Sequence, residues 1–163
     1  MLSPRQRRLE ADYRELRNRF DADEHITIQA IGVAPAERFH ILYKVPTLYL
    51  DDQGRVMERR QTVVEITLPA AYPKEKPHAT TFDAVFHPNF GAYVCIADFW
   101  SPTNSLVDVV RDIGLMLQWQ KYNIRSPLNA AAAEWSQDHQ HELPIGHIDF
   151  GFRPVELTII RDI

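Results

Sequence analysis

The chain has 163 residues, of which 45% are hydrophobic, and a formal net charge of -4. A chain of this size can bury one ordinary core without disulfides or a structural metal. The negative charge disfavours general nucleic-acid binding, which usually needs a basic surface, so no nucleic-acid partner is expected.

The cysteine count and the lack of a long apolar segment bear on location. Cys95 is the only cysteine, so no disulfide can form within the chain, which favours a reducing compartment. No stretch approaches the roughly 18 apolar residues of a membrane span, and residues 1–8 lack the apolar core of a secretory signal. We therefore expect a cytoplasmic protein that does not bind membranes.

The first element is predicted to be a helix. Ser3 can cap it, Pro4 suits its first position, and Gln6 completes a capping box three residues after Ser3. A buried stripe is expected at helical spacing, formed by Leu9, Tyr13, Leu16 and Phe20. Residues 1–20 carry six arginines against three acidic residues, so a net +3 lies on this helix and -7 on the rest. A solvated helix face would explain such a charge run by itself.

Hydrophobic alternation with a period of two begins after His25 and predicts strands. The four runs contain Ile26 and Ile28, Phe39 to Leu50, Val56 to Leu68, and Ala79 to Phe86. Asp52-Gln53-Gly54 is a predicted hairpin turn between the second and third runs. Pro46 inside the second run implies a bulge or an edge position. The expected sheet is a four-stranded antiparallel meander.

Two further helices are predicted after the cysteine. Ser105 with Asp108 begins the first, and Ser126-Pro127 begins the second, which runs through Trp135. The inward-facing residues of the first are expected to be Leu106, Val109, Val110, Ile113 and Leu117. Helices packed on one sheet give an α+β fold.

Short motifs follow one another in a fixed order around Cys95. They are Tyr72-Pro73 with Pro77, His87-Pro88-Asn89, Cys95, Trp100-Ser101-Pro102, an apolar helix and Pro127-Leu128-Asn129. This order, from Leu68 to Trp135, resembles the ubiquitin-conjugating (E2) enzyme family. The resemblance implies a UBC-like fold and an enzyme without a cofactor. It also implies that Cys95 accepts a ubiquitin-like protein from an E1 enzyme as a thioester and transfers it to an amine, expected to be a lysine, on a target protein.

Acyl transfer through a thiol asks little of the neighbouring side chains. Transfer of an acyl group from a thioester to another thiol is nearly isoenergetic, so an accessible thiol suffices for loading. Attack by an amine builds an oxyanion, which needs a hydrogen-bond donor placed in advance. Asn89 carries such a donor, and the resemblance implies that role, whereas closing a turn after Pro88 is the structural alternative. The resemblance further implies that His87 braces the loop together with Pro88.

The incoming lysine must lose a proton. In the family an aspartate or serine just before the proline of the final helix usually assists, and that position is Ser126 here. Ser126 could equally serve only as a helix cap. Tyr122 and Asn123 in the preceding loop, and Asp98 near Cys95, are further candidates for the lysine path, although solvation alone explains Asp98 equally well.

The resemblance also suggests a use for the basic first helix. E2 enzymes dock their E1 enzyme through such a helix, which makes Arg5, Arg7, Arg8 and Arg14 the candidate E1 contacts.

Several departures from the family pattern limit what can be transferred. Lys74 stands where RING-type E3 ligases grip an apolar residue, and Thr103 replaces a usual small residue, so a RING partner is not expected. The usual fourth helix is missing, which suggests a core domain over residues 1–142 and an extension over 143–163 that is partly strand-like. Compact, divergent E2 enzymes of this kind resemble bacterial ones from antiviral operons that also encode an E1-like enzyme and a ubiquitin-like protein.

Other functional classes stay open at this point. A non-catalytic E2 variant or RWD-like binding module would share the turn and the sheet but generally lacks the cysteine. A Cys-His hydrolase would need a third group to orient His87, and the sequence nominates none. His139 and His141 lie two positions apart, so on a helix they point in different directions, and no metal site is predicted.

Overall fold

The first element is helix α1, Pro4–Phe20, whose predicted N-terminal capping box is confirmed. A computed structural model describes residues 1–96 and 99–151. The Gln6 amide donates to the Ser3 hydroxyl at 3.1 Å, and the Ser3 amide donates to the Gln6 side chain at 2.8 Å. Three residues of the predicted stripe are buried and Tyr13 packs partly against the core. Local sequence therefore fixes this helix.

Six strands follow α1. They are β1 Ile26–Ile31, β2 Arg38–Tyr43, β3 Thr47–Leu50, β4 Val56–Arg59, β5 Thr62–Thr67 and β6 His78–Thr81. A four-stranded antiparallel sheet has the order β1-β2-β5-β6, and β3 with β4 forms a separate hairpin. The predicted antiparallel meander is confirmed, with the hairpin inserted between its second and third strands.

The long predicted strands are shorter than the alternation suggested. The run from Phe39 to Leu50 breaks between Tyr43 and Thr47, because Pro46 cannot donate a ladder hydrogen bond. The run from Val56 to Leu68 breaks after Arg59, where the chain leaves the hairpin and returns to pair with β2. The last strand ends at Thr81, so its predicted extension to Phe86 is wrong. The predicted turn at Asp52-Gln53-Gly54 is present, and Gly54 has a φ of 75°.

Helix α2, Leu106–Leu117, matches its prediction. The Ser105 side chain accepts a hydrogen bond from the Val107 amide at 3.1 Å. The predicted inward-facing residues are all buried. Since both the cap and the apolar stripe lie within one short segment, the sequence was sufficient here.

Helix α3, Ala130–Asp138, begins later than predicted. Its cap is Asn129, whose side chain accepts from the Ala132 amide at 3.0 Å, so the predicted start at Ser126-Pro127 is wrong. The physical reason lies outside the helix. The Leu128 and Asn129 amides donate to the Pro88 carbonyl at 2.8 and 3.1 Å, which holds the chain in a loop up to Asn129.

The segment after α3 packs back onto α2. The buried Gln118 side chain donates to the Ile148 carbonyl and accepts from the Ile148 amide, both at 2.8 Å. Phe150 is fully buried, and a β-carbon on Gly114 would lie 2.3 Å from its ring. This segment therefore contributes to the main core, while the domain boundary after residue 142 stays a prediction. The strand-like run from Val155 to Ile160 lies outside the described residues.

The main core lies between the sheet and the helices. It contains the stripe of α1, the inward face of α2 and the buried residues of β2 and β5. The predicted α+β architecture, a four-stranded sheet with one helix before it and two after it, is confirmed. Among the described residues, no helix has the length and apolar character needed to cross a membrane.

Candidate active site at Cys95

The segment that carries Cys95 is fixed to the sheet by its backbone. The Val94 amide donates to the Ala79 carbonyl of β6 at 2.8 Å, and Phe90 pairs with Val94 in a short antiparallel bridge. The Cys95 amide donates to the Asn89 carbonyl at 2.9 Å. Cys95 itself is half-buried and unpaired with any other cysteine. The thiol is thus held beside Asn89 by the main chain.

His87 lies in the interior and bonds to backbone. Its side chain is 0% exposed, and its Nδ1 atom accepts from the Asn89 amide at 3.0 Å, so the other ring nitrogen carries the proton. Burial lowers the pKa of His87 to about 3, and the nearby Met116 backbone opposes the shift only in part. The imidazole is therefore neutral at physiological pH.

Pro88 and Asn89 connect the cysteine segment to the loop before α3. The Pro88 carbonyl accepts the two amides that lead into this helix. The Asn89 side-chain oxygen accepts from the Asn123 amide at 2.9 Å. With that oxygen engaged, the carboxamide Nδ2 donates to no described residue. An amide donor is therefore held in a fixed orientation next to Cys95.

An open cavity of about 400 Å³ contains the cysteine. Four of the residues singled out from the sequence line it, namely Cys95, Asn89, Tyr122 and Asn123. Ser126 is exposed in the loop before α3 and is not among the described residues of the cavity wall, and Asp98 lies outside the described residues.

The cavity wall also contains residues that sequence reasoning missed. They are Ile96, Phe99, Met116 and Lys121. Phe99 is 90% exposed, which is unusual for a phenylalanine and marks the rim of the cavity. Lys121 directly precedes the predicted Tyr122, and that adjacency is the one signal that could have indicated it. Met116 carried no signal, because its apolar helix position predicts only burial.

Trp119 packs against two residues of the site and has an uncommon backbone conformation. It follows α2 with a φ of 58°, a region that bulky residues rarely adopt. The Trp119 amide donates to Met116 at 2.9 Å and the Gln120 amide donates to Leu115 at 3.0 Å, which is the pattern of a Schellman helix end. The buried indole packs between His87 and Tyr122, with ring centroids 4.5 and 5.3 Å away. This helix end therefore directs an aromatic ring under the site.

The candidate E1-binding arginines of α1 fall into two pairs. The Arg8 Nε atom donates to both carboxylate oxygens of the buried Asp12, at 2.8 and 2.9 Å. The Arg8 guanidinium also donates to the carbonyls of Pro102 and Asn104. Arg5 forms an ion pair with Glu37 and donates to the Pro69 carbonyl. Arg7 and Arg14 are exposed. Only the second pair therefore lies fully on the surface.

The two histidines near the end of α3 are engaged individually. The His139 ring stacks on Trp135 with centroids 4.5 Å apart, and His141 lies 3.4 Å from Glu142. Within residues 1–96 and 99–151, no three histidine, cysteine, aspartate or glutamate side chains are grouped as metal ligands would be.

Comparison with solved structures identifies the same fold in known enzymes. The E2 domain of a Toxoplasma gondii ubiquitin-conjugating enzyme aligns with a TM-score of 0.59 and 18% identity, covering 84% of this chain and 89% of that one. The human ubiquitin-conjugating enzyme E2 G1 aligns with a TM-score of 0.55 and 23% identity, covering 72% of this chain and 98% of that one. At these identities the likeness shows the fold, and it confirms the UBC-like architecture.

A search among curated proteins gives no match. The family model of ubiquitin-conjugating enzymes matches residues 34–144, which is more than half of the chain and includes the whole cysteine region. The chain belongs to the ubiquitin-conjugating enzyme family.

Proposed function

We propose that this protein accepts a ubiquitin-like protein from an E1 enzyme as a thioester on Cys95 and transfers it to a lysine of a target. The observation that carries the proposal is the placement of Cys95. The chain's only thiol lines an open cavity, and its amide is bonded to the carbonyl of the asparagine that supplies an oriented donor. Membership of the family supports a conjugating enzyme in general.

Loading of Cys95 requires no base from this chain. The Cys95 thiolate attacks the E1 thioester, the new carbon–sulfur bond forms as the old one breaks, and the E1 cysteine leaves as a thiolate that takes up the proton lost by Cys95. The neutral, buried His87 fits this requirement, since its Nδ1 atom is occupied by a backbone amide. The same burial disfavours a Cys-His hydrolase, in which the imidazole must reach the thiol.

Transfer to the lysine depends on Asn89. The amine attacks the thioester carbon and negative charge develops on the carbonyl oxygen. Because the Asn89 oxygen is bonded to the Asn123 amide, its Nδ2 is free to donate to that charge. In this proposal Asn89 is a catalytic residue, while His87 and Pro88 hold its backbone in place.

The lysine enters along the exposed side of the cavity. Tyr122 and Asn123 line this side and are the proposed contacts of the lysine stem. Ser126 follows them in the exposed loop and is proposed to assist proton removal through its hydroxyl. Asp98 remains a candidate of the same kind, outside the described residues.

The partners follow from the family and from the surface. An E1-like enzyme, a ubiquitin-like protein and a target are required. Lys74 and Thr103 are both exposed, so the surface that would meet a RING-type ligase lacks the apolar contact residue that such ligases bind. We propose a bacterial-type enzyme of an antiviral operon acting in the reducing cytoplasm, supported by the compact sequence and the single thiol.

A charging assay tests the proposal. With a cognate E1, its ubiquitin-like protein and ATP, the protein should form an adduct that thiols release. Cys95→Ser should abolish that adduct, because no other thiol is available. A reducible adduct in the variant would refute the assignment of Cys95. No adduct with the parent protein under conditions that load another E2 would favour the non-catalytic binding module.

Docking of the E1 enzyme on α1 is tested at the exposed arginines. Reversing Arg7 and Arg14 to glutamate should slow the loading of Cys95 at low salt. The difference in loading rate between the variant and the parent should become smaller as added salt screens the charges. Discharge of preloaded enzyme should be unchanged. Arg38→Glu, on the outer face of the sheet, is the control for charge reversal away from α1. Equal loading rates for the Arg7/Arg14 variant and the parent would mean that these arginines only form a solvated helix face.

Arg8 is a poor choice for that test despite its place among the candidates. Its guanidinium is the partner of Asp12, which is 4% exposed. Removing one member of a buried ion pair leaves an uncompensated charge and typically costs about 3–5 kcal/mol. A loading defect in an Arg8 variant would therefore report folding rather than docking.

A further inference from the structure

The rim of the Cys95 cavity exposes an apolar surface. The Phe99 side chain is 90% exposed although it belongs to the cavity wall. Tyr122, the other aromatic residue of the described wall, is 39% exposed, whereas Ile96 and Met116 are buried. An exposed apolar side chain gains free energy when a bound molecule covers it, and a group of them around a cavity marks a contact surface. Phe99 supplies most of that uncovered surface beside the thiol.

The described wall of this cavity carries no net charge. Lys121 is the one charged residue among the described lining residues, and its Nζ atom lies 2.8 Å from a carboxylate oxygen of Asp112 on α2. The ammonium charge is thus balanced within the chain. A charged side chain of a bound molecule would lose water here without gaining an opposite charge, whereas an apolar one would gain by covering Phe99. The wall therefore favours uncharged, apolar groups.

The occupant of this surface follows from the chemistry proposed for Cys95. An acyl chain joined to the sulfur begins inside the cavity, because Cys95 is part of the wall. Each residue of an extended chain advances about 3.3 Å, so its last two residues lie within about 7 Å of the thioester. A cavity of about 400 Å³ is of a size that holds small ligands. The end of the acyl chain is therefore the segment that this wall would contact.

We propose that Phe99 determines which acyl chain Cys95 accepts, by selecting an uncharged, apolar side chain at the penultimate residue. This deepens the proposed function, on which it rests, and names the substrate class: a ubiquitin-like protein with an apolar residue just before its last one. The last residue borders Asn89 and the path of the amine, where a large side chain would obstruct attack on the carbonyl carbon. The penultimate side chain is the first that covers the Phe99 ring without obstructing that attack.

Competition between two small thioesters tests this selection without an E1 enzyme. The full chain is mixed with equal concentrations of the 2-mercaptoethanesulfonate thioesters of N-acetyl-leucyl-glycine and N-acetyl-glycyl-glycine, and intact-protein mass spectrometry measures both adducts at early times. In each exchange the carbon–sulfur bond to Cys95 forms, the bond to mercaptoethanesulfonate breaks, and the released thiolate takes up the proton lost by Cys95. Because both reagents compete for one thiolate, the adduct ratio does not depend on the reactivity of Cys95.

The leucyl adduct should exceed the glycyl adduct about fivefold, as expected when a leucine side chain buries about half of its surface. Reagents with arginine or glutamate in place of leucine should give no more adduct than the glycyl reagent. The arginyl reagent also tests Asp98, which precedes Phe99 and lies outside the described residues. Cys95→Ser measures the background from acylation of other groups.

Three substitutions test whether Phe99 is the selecting residue. Phe99→Ala should lower the leucyl preference to about twofold or less, while Phe99→Leu keeps an apolar side chain and should retain most of it. Phe82→Ala is the matched control and should leave the preference unchanged, because Phe82 is 59% exposed but packs on His40 and is not among the described residues of the cavity wall. Since Phe99 is so exposed, neither of its substitutions should lower the free energy of unfolding measured in urea.

The outcomes distinguish this selection from the conjugating function. Equal adducts from all four reagents would overturn the selection, and so would an arginyl adduct larger than the leucyl one. A leucyl preference that survives in Phe99→Ala, or that is lost equally in Phe82→Ala, would overturn the role of Phe99. Failure of every reagent to acylate Cys95 would also overturn the proposal, because the cavity would then hold no such chain.

Charging by an E1 enzyme is measured separately. Normal charging together with any of those negative results would leave the conjugating function intact. Failed charging together with a leucyl preference that depends on Phe99 would overturn the conjugating function and leave the selection by Phe99 in place.

Discussion

The two sides of the Cys95 cavity are built in opposite ways. On one side His87, Pro88 and Asn89 are buried, and each makes a hydrogen bond to the main chain. On the other side the loop from Lys121 to Ser126 is exposed along its whole length. The buried side positions the atoms that would react, and the exposed side leaves room for a partner.

The difference has a physical basis. A donor that is already oriented and shielded from water stabilises developing charge without reorganising, which favours a buried support held by main-chain hydrogen bonds. In the proposed transfer the target lysine would belong to another protein and would reach the thioester from solvent, which requires an open edge. Substitutions on the buried side should therefore change chemistry and stability, whereas those on the exposed side should have smaller effects.

The largest effect is expected at Asn89. Asn89→Ala should load almost normally but discharge to lysine on the order of 100-fold more slowly, as for the loss of one oxyanion donor. Asn89→Asp sharpens the comparison, because it keeps an oxygen for the Asn123 amide but has no side-chain donor. Single-turnover discharge of preloaded enzyme is the measurement. If Asn89→Asp discharges at the parent rate, Asn89 only supports the loop.

The next effect is a pH dependence of stability that arises from His87. Its folded pKa of about 3 lies below the unfolded value near 6.5. Above pH 6.5 His87 is unprotonated in both the folded and the unfolded state, so its full contribution to the free energy of unfolding is present there. As the pH falls from about 6.5 towards 3, only the unfolded state binds it, and the free energy of unfolding decreases by about 1.4 kcal/mol per pH unit. About 2 kcal/mol should thus be lost by about pH 5.

Urea unfolding between pH 5 and 7 measures this loss. His87→Gln retains an acceptor for the Asn89 amide but cannot ionise in this range, so its stability should vary less with pH than that of the parent. Other titrating groups contribute to both proteins and cancel in the difference. Parallel curves for the parent and the variant would mean that His87 can be protonated in the folded state.

The smallest effects are expected on the exposed side. Ser126→Ala should slow discharge by only about two- to threefold, because one exposed hydroxyl in contact with solvent offers weak assistance. It should not change stability, since Asn129 and not Ser126 caps α3. Asn129→Ala is the matched variant and should lose about 1 kcal/mol of unfolding free energy, the typical cost of a cap. Destabilisation by Ser126→Ala instead would contradict this division of roles.

Features set by near neighbours in the chain could be predicted from the sequence. The first helix needed only Ser3, Pro4 and Gln6, and α2 needed only Ser105 and its apolar stripe. The order of motifs around Cys95 was sufficient to indicate the family and the cavity residues Asn89, Tyr122 and Asn123. In each case the deciding groups lie close together in sequence or belong to a recognisable pattern.

Features that depend on distant contacts were decided only by the tertiary structure. The start of α3 moved to Asn129 because a carbonyl some forty residues earlier, that of Pro88, holds the preceding amides. Arg8 was expected on the surface, yet Asp12 and two carbonyls about a hundred residues away bind it. Lys121 lies in the same cavity wall as Cys95 for the same reason. Hydrogen bonds and ion pairs act over a few ångströms, and the fold alone determines which remote residues come that close.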